Sequence, residues 1–212
     1  MAFRNADMPA MLWAIFAVCV VVELCLAGSD FGLWGTGRWR SLAYQNGGFW
    51  IGLLGSWRPN YPLQAVFMFA TYAFLHNGIM HLAVNMLTLF VLGRVVVERI
   101  GQIRFFSLYI LAMVGGGAGF ALLSDVPQPM VGASGALFGL AGAIAAWEYV
   151  DRTAAEERLW PVFRLVLLLL LLNLVLWWAM DGQLAWETHF GGFVSGWVIA
   201  FLVDPRSRSI EN

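Results

Sequence analysis

The sequence predicts an all-α membrane protein built from six transmembrane helices. Of its 212 residues, 60% are hydrophobic and only 12% are charged, whereas an ordinary soluble domain carries about 25% charged residues. This apolar content is enough for six bilayer crossings at roughly 20 residues each. We therefore expect the lipid bilayer as a partner. The formal net charge of −1 gives no excess of basic residues, so we expect no nucleic acid as a partner.

Apolar runs place the six helices along one domain that covers residues 1–212. The first run is too long for the apolar core of a cleaved signal peptide. A later apolar stretch breaks at His76-Asn77-Gly78, where the second helix begins. The fourth and sixth runs are short for a hydrocarbon core of about 30 Å, which favours helices that begin below the membrane surface. The predicted spans are 8–26, 78–97, 104–123, 131–147, 161–180 and 188–203.

The arginines predict the orientation, because the side of a membrane protein that carries more basic residues faces the cytoplasm. All twelve basic residues are arginine, and three of them lie in the first loop. The other nine lie on the opposite side of a six-span chain: Arg4, Arg94, Arg99, Arg104, Arg152, Arg158, Arg164, Arg206 and Arg208. We therefore expect both termini in the cytoplasm and the second, fourth and sixth helices running inward.

Two connecting segments differ in character. The first loop, about residues 27–77, is long and rich in aromatic residues. It fits either an aromatic belt at headgroup depth or a structured, half-submerged segment that packs on the bundle, and the two are compatible. We expect a large, partly membrane-embedded loop. The mixed-charge segment Asp151–Arg158 is interpreted as a solvated connector.

Polar residues within apolar spans are costly and are functional hypotheses by default. Two have ordinary explanations: Glu23 can reach the interface and Asn173 can bond to a neighbouring helix. Glu187, just before the sixth span, fits a solvated loop charge better than a third member of a catalytic triad.

Four polar residues instead fall at one depth near the outer face. His81 and Asn85 share a face in the first turns of the second span, Ser134 starts the fourth span and His189 opens the sixth. Gly135-xxx-Gly139 and Gly192-xxx-Gly196 follow in the last two spans, and such patterns let helix backbones approach closely. This packing would put His189 beside Ser134.

That arrangement suits nucleophilic catalysis. A serine hydroxyl is a poor nucleophile until a base takes its proton, and His189 is the candidate base. The N–H groups at a helix N-terminus, with Asn85 and His81 as side-chain donors, can stabilise an oxyanion. Phe138, one turn beyond Ser134, can pack on the imidazole. His76 and His81 are five residues apart, a poor spacing for two metal ligands, so we expect no metal and no cofactor.

Three motifs resemble those of the rhomboid intramembrane serine proteases. They are GASGALFG at 132–139, similar to the family's GxSG motif; HNGIMHLAVN at 76–85, similar to its HxxxxHxxxN signature; and HFGG at 189–192, which resembles its histidine motif. Their order and their positions on the second, fourth and sixth spans make the resemblance specific. It implies a six-helix rhomboid-like bundle in a bacterial inner membrane.

The resemblance also implies roles for individual residues. Ser134 would be the nucleophile and His189 the base of a dyad without an acid, and the Ser134 N–H, His81 and Asn85 would stabilise the oxyanion. His76 would be a structural residue or a residue that lines the cavity. The supporting residues would be Gly132, Gly135, Phe138, Gly192 and Gly196. The implied substrates are single-span membrane proteins, whereas the oligomeric state stays open.

Two other functions compete with proteolysis. One is a catalytically silent rhomboid-like protein that binds or escorts membrane clients, although such relatives usually lack one or both dyad residues. The other is a small transporter, which predicts charge pairs or broken helices at the midplane.

One departure concerns the first loop. Many family members carry Trp-Arg nine residues before the first motif histidine, where this chain has Phe67-Met68. Trp57-Arg58 occurs ten residues earlier, so either the loop is rearranged or Arg58 has taken over part of the role.

Overall fold

The computed structural model describes residues 8–204, and this part of the chain is helical, without a named strand. The predicted all-α class is confirmed. The α-helices are α1 (Ala10–Asp30), α2 (Trp39–Gly47), α3 (Gln64–Thr71), α4 (Ile79–Leu123), α5 (Ser134–Ala154), α6 (Trp160–Ala179) and α7 (Trp186–Val203). Short 3₁₀ helices cover Ile51–Leu54 and Tyr72–Phe74.

The second and third predicted spans are joined by a single residue rather than by a loop. α4 is 45 residues long, and Gly101 interrupts it with a φ of 78° and a ψ of 167°. A positive φ in this range is strained for a residue with a Cβ, so glycine suits the break. The parts before and after Gly101, residues 79–100 and 102–123, are consecutive helices that each measure about 30 Å.

Three of the described helices, α1, α4 and α6, are long and apolar enough to cross a membrane. α5 begins at Ser134 and is buried along about half of its length, whereas α7 carries polar residues in its first turn and buries one face. α5 continues to Ala154, beyond the predicted end at residue 147. Asp151 and Arg152 are therefore helical, and the prediction of a solvated connector from Asp151 is wrong for its first residues.

Glycines bring α5 and α7 into backbone contact. A Cβ added at Gly192 would overlap the carbonyl oxygen of Gly135, and one at Gly196 would overlap that of Gly139. Because the backbones touch directly, even a methyl group has no space. The close packing that the small-residue patterns predict for these two helices is confirmed.

The second part of α4 joins the same packing, which the sequence interpretation missed. A Cβ at Gly119 would lie 2.7 Å from the Cα of Gly191, and one at Gly116 would lie 3.1 Å from the Cα of Gly135. Three helices therefore meet through glycine at the depth of the residues that the motifs single out.

α6 differs from this core. Its leucines cover every side, and Val162 is its one buried residue. Its few inward positions are spaced by three or four residues and end at Asn173, which is half-buried. Trp177 and Trp178, in the last turn, are 43% and 77% exposed. The helix therefore lies at the periphery, with most of its surface available to lipid.

The first loop is anchored by an ion pair that the sequence does not predict. Glu23 is fully buried, and Arg40 of α2 binds both of its carboxylate oxygens at 2.8 and 3.0 Å. Hydrogen bonding to Glu23 raises the pKa of Arg40. The same guanidinium donates to the carbonyl of His76 at 2.8 Å. Arg58 is exposed, so Arg40, and not Arg58, ties the loop to α1 and to the start of α4.

The aromatic residues of the loop divide between the two predicted environments. Phe49 and Tyr72 are fully buried, whereas Trp57 and Phe67 are about half exposed, at 48% and 51%. Phe49 also pairs with Met130 in an isolated antiparallel bridge. The loop therefore packs on the segment that leads into α5.

At the end of the bundle away from the first loop, Arg99 of α4 joins α4 to α5 and α7. It binds Asp151 of α5 at 2.7 Å and Asp204, just after α7, at 2.6 Å. The guanidinium carbon lies 4.9 Å from the ring centroid of Trp147. Arg4, Arg206 and Arg208, which enter the predicted orientation, lie outside the described residues.

Replacing Arg99 with methionine should lower the free energy of unfolding by about 3 kcal/mol, because the change breaks the partly buried salt bridges of Arg99 with Asp151 and Asp204. Thermal unfolding in detergent measures this loss. Arg94→Met is the matched control and should cost about 0.5 kcal/mol, since within residues 8–204 Arg94 pairs only with the exposed Glu98 along the same helix. Equal losses in the two variants would contradict the role given to Arg99.

Candidate active site

A serine and a histidine meet where α5 and α7 begin. Ser134 is the first residue of α5, and His189 lies in the first turn of α7. The Oγ of Ser134 and the Nε2 of His189 are 2.8 Å apart, within hydrogen-bonding distance. The glycine contacts between the two helices hold the side chains at this separation.

Two further side chains fix the imidazole of His189. Phe138 stacks on it, with ring centroids 4.2 Å apart and an interplanar angle of 7°, as the sequence suggests. On the other ring nitrogen, the Nδ1 of His189 lies 2.6 Å from the Oδ1 of Asn173 in α6. Together with the contact to Ser134, these interactions leave the ring little freedom to rotate.

His81 and Asn85 lie beside the segment that leads into Ser134. A Cβ built on Gly132 would be 3.0 Å from the Nε2 of His81 and 3.7 Å from the Nδ2 of Asn85. Gly132 has a φ of 127°, so both its backbone and this close approach require glycine. The Nδ2 of Asn85 is buried and has no hydrogen-bond partner within residues 8–204. A buried donor without a partner is costly unless a ligand uses it.

The tautomer of His81 follows from its neighbour. The backbone N–H of Asn77 donates to the Nδ1 of His81 at 3.3 Å, so a neutral ring carries its proton on Nε2. This second N–H donor therefore lies next to Gly132. His76 is fully buried, and its ring packs edge-on against that of His81 with centroids 5.3 Å apart.

The structure thus brings together the residues that the sequence singled out: Ser134, His189, His81, Asn85, His76, Gly132, Gly135, Phe138, Gly192 and Gly196. Two assignments need correction. Glu187 is not a solvated loop charge, because it lies in the first turn of α7 and is 8% exposed. Asn173 does bond to a neighbouring helix, as expected, but its partner there is His189, so sequence reasoning missed it as part of this site.

A comparison with known proteins identifies the family. The family model described as a Rhomboid domain matches residues 63–206. The chain belongs to the rhomboid family. The match includes all the helices that carry the site, so the described bundle is a rhomboid fold and the protein is an integral membrane protein.

Individual relatives are similar over more than half of the chain. The chain is 33% identical over 136 residues to RHOMBOID-like protein 5 of Arabidopsis thaliana, a match that covers 63% of this chain and 43% of the plant protein. It is 32% identical over 126 residues to Rhomboid protease GluP of Bacillus subtilis, covering 59% of this chain and 24% of that protein. The chain therefore spans less than half the length of these two rhomboid relatives.

The backbone contact between α5 and α7 predicts that Gly196→Ala has the opposite effect on stability to the one helix propensity gives. Gly196→Ala should be favoured by about 1 kcal/mol on propensity alone, yet overpacking against Gly139 should make it destabilising by about 1–3 kcal/mol. Thermal unfolding in detergent gives the sign. Val198→Ile adds one carbon to an exposed side chain on the same helix and should be neutral. A Gly196→Ala protein more stable than wild type would show that α5 and α7 are not in backbone contact.

Proposed function

We propose that this rhomboid-family protein is an intramembrane serine endopeptidase that cuts transmembrane segments of single-span membrane proteins. The observation that carries the proposal is the 2.8 Å contact between Ser134 Oγ and His189 Nε2. A serine hydroxyl becomes an effective nucleophile when an adjacent imidazole accepts its proton. The family includes proteins named as proteases and others named only rhomboid-like, so the activity of this chain rests on its own residues.

In the proposed reaction, the oxygen of Ser134 attacks the carbonyl carbon of the scissile peptide bond while its proton passes to Nε2 of His189. The carbonyl oxygen becomes an oxyanion. When the tetrahedral intermediate collapses, the C–N bond breaks and His189 gives the proton to the leaving amine. Water then attacks the acyl-enzyme ester, again with His189 as the base, and releases the carboxylate and the free serine.

The oxyanion would be stabilised by three donors. The backbone N–H of Ser134 is one, because the first N–H groups of a helix lack intrahelical partners. The Nδ2 of Asn85, buried without a partner among the described residues, is the second. The Nε2–H of His81, beside Gly132, is the third. Donors fixed in a site that excludes bulk water stabilise a developing charge strongly.

The arginine distribution further leads us to propose that both termini are cytoplasmic and that the site opens toward the outer face. A substrate would then be cut near its outer end. A spanning helix keeps its carbonyls in internal hydrogen bonds, so we infer that substrates which unwind easily at that depth are preferred.

Ser134→Ala and His189→Ala should each abolish labelling by a fluorophosphonate probe in the detergent-solubilised protein. Ser107→Ala is the matched control and should label like the wild type, because the Ser107 hydroxyl donates to the carbonyl of Ile103 on its own helix. Labelling that persists in Ser134→Ala would exclude Ser134 as the nucleophile.

Cleavage of a single-span reporter tests both substrate class and orientation. Wild-type protein reconstituted in vesicles should cut the reporter near its outer end, and neither dyad variant should cut it. A wild type that binds the reporter without cutting it would indicate a silent client-binding protein instead. Cleavage mapped to the cytoplasmic end would contradict the proposed orientation.

Asn85→Ala should lower kcat by about 10²–10³-fold with little change in KM, because the donor acts on the oxyanion and not on the bound substrate. Reporter cleavage at several substrate concentrations separates the two constants. Thr88→Ala, one turn further along α4, is the control, since its hydroxyl bonds to the carbonyl of Val84. A change confined to KM would exclude Asn85 from the oxyanion site.

A further inference from the structure

The peripheral helix α6 contributes one polar side chain to the site. Asn173 is half-buried on the inward side of a helix that is otherwise apolar from Leu165 to Ala179. A carboxamide in an apolar span is costly unless its donor and acceptor are both used. Here both are used, since Oδ1 faces His189 at 2.6 Å and Nδ2 donates to the carbonyl of Leu169 at 3.0 Å.

These two contacts define which way round the carboxamide lies. If nitrogen and oxygen were exchanged, the oxygen would face the carbonyl of Leu169, placing two acceptors against each other. The intrahelical bond to Leu169 therefore directs Oδ1 toward His189. An amide oxygen only accepts hydrogen bonds, so the Nδ1 of His189 must be the donor.

The proton on Nδ1 determines the state of Nε2, the other ring nitrogen of His189. A neutral imidazole carries one proton, and with that proton on Nδ1 the lone pair lies on Nε2. Nε2 is the atom that faces Ser134. The other tautomer would present an N–H to the serine and could not accept its proton.

We propose that Asn173 is a positioning residue that holds His189 in the tautomer and orientation needed to take the proton of Ser134. This inference rests on the proposed protease function and extends the dyad to a Ser134–His189–Asn173 relay of hydrogen bonds contributed by α5, α7 and α6. Asn173 does not touch the substrate. It acts through the imidazole, and Phe138 fixes the plane of the same ring.

The test compares two replacements of Asn173 in the whole 212-residue chain. Asn173→Leu keeps the size but removes the acceptor, whereas Asn173→Asp keeps an oxygen that can accept from Nδ1. At metal sites, loss of the hydrogen-bond partner that orients a histidine ring costs about 10–100-fold in metal affinity or activity, and we take the same range for His189. We expect the rate of fluorophosphonate labelling to fall by about that factor in Asn173→Leu and to recover largely in Asn173→Asp. For reporter cleavage, the loss should appear in kcat and not in KM.

Val166→Ala controls for the packing of α6. Val166 lies on the same inward side of the helix as Asn173, and its side chain has no polar group. It should label at the wild-type rate. Asn173→Leu labelling at the wild-type rate would overturn the proposal. So would equal losses in Asn173→Leu and Asn173→Asp, since the acceptor would then be irrelevant. A wild type without Ser134-dependent labelling would instead reject the protease function itself.

Discussion

The backbone contact between α5 and α7 is the constraint on which the site depends. Side chains at the start of two neighbouring helices are normally kept apart by the 8–10 Å between the helix axes. Here glycines at 135, 139, 192 and 196 remove the side chains that would separate the backbones. Ser134 and His189 can therefore hydrogen-bond directly. Gly116 and Gly119 of α4 extend the same contact, so the site is built on three helices that cannot shift without steric overlap.

Around this rigid centre, each remaining component comes from a different part of the chain. The first part of α4 presents His81 and Asn85, and the loop ion pair of Arg40 with Glu23 ties the carbonyl of His76 in place just before it. The cluster around Arg99 fixes the opposite ends of α4, α5 and α7. The ion pairs at both ends and the glycine contacts between them fix how far each helix is shifted along its neighbours. α6 is attached more weakly, yet it provides the acceptor for His189.

Much of this arrangement can be predicted from local patterns. The apolar runs and the polar residues at their starts locate the helices, and the spacing of Gly135, Gly139, Gly192 and Gly196 predicts which faces meet. Phe138 follows Ser134 by one turn, so its contact with the imidazole is also predictable. These features depend on neighbours in the sequence or on a repeated spacing.

The features that were missed depend on which side of a uniformly apolar helix faces inward. α6 is leucine-rich all around, so nothing in the sequence shows that Asn173 points to His189. The burial of Glu23 could not be predicted for the same reason, because α1 is also apolar on all sides. Which of the three loop arginines pairs with Glu23 depends on the path of the whole loop. The break in α4 was also missed. The stretch between the second and third predicted spans contains Arg99 and Arg104 and resembles an ordinary loop, yet the chain turns at the single residue Gly101.

The proposed site is tested most directly by an experimental structure of the protein after reaction with a fluorophosphonate. We expect a covalent P–O bond to the Oγ of Ser134, with the phosphonyl oxygen within hydrogen-bonding distance of the Ser134 N–H and Asn85 Nδ2. The imidazole of His189 should remain stacked on Phe138. Phosphorus bound to any other residue would exclude Ser134 as the nucleophile, and a phosphonyl oxygen directed away from Asn85 would exclude the proposed oxyanion site.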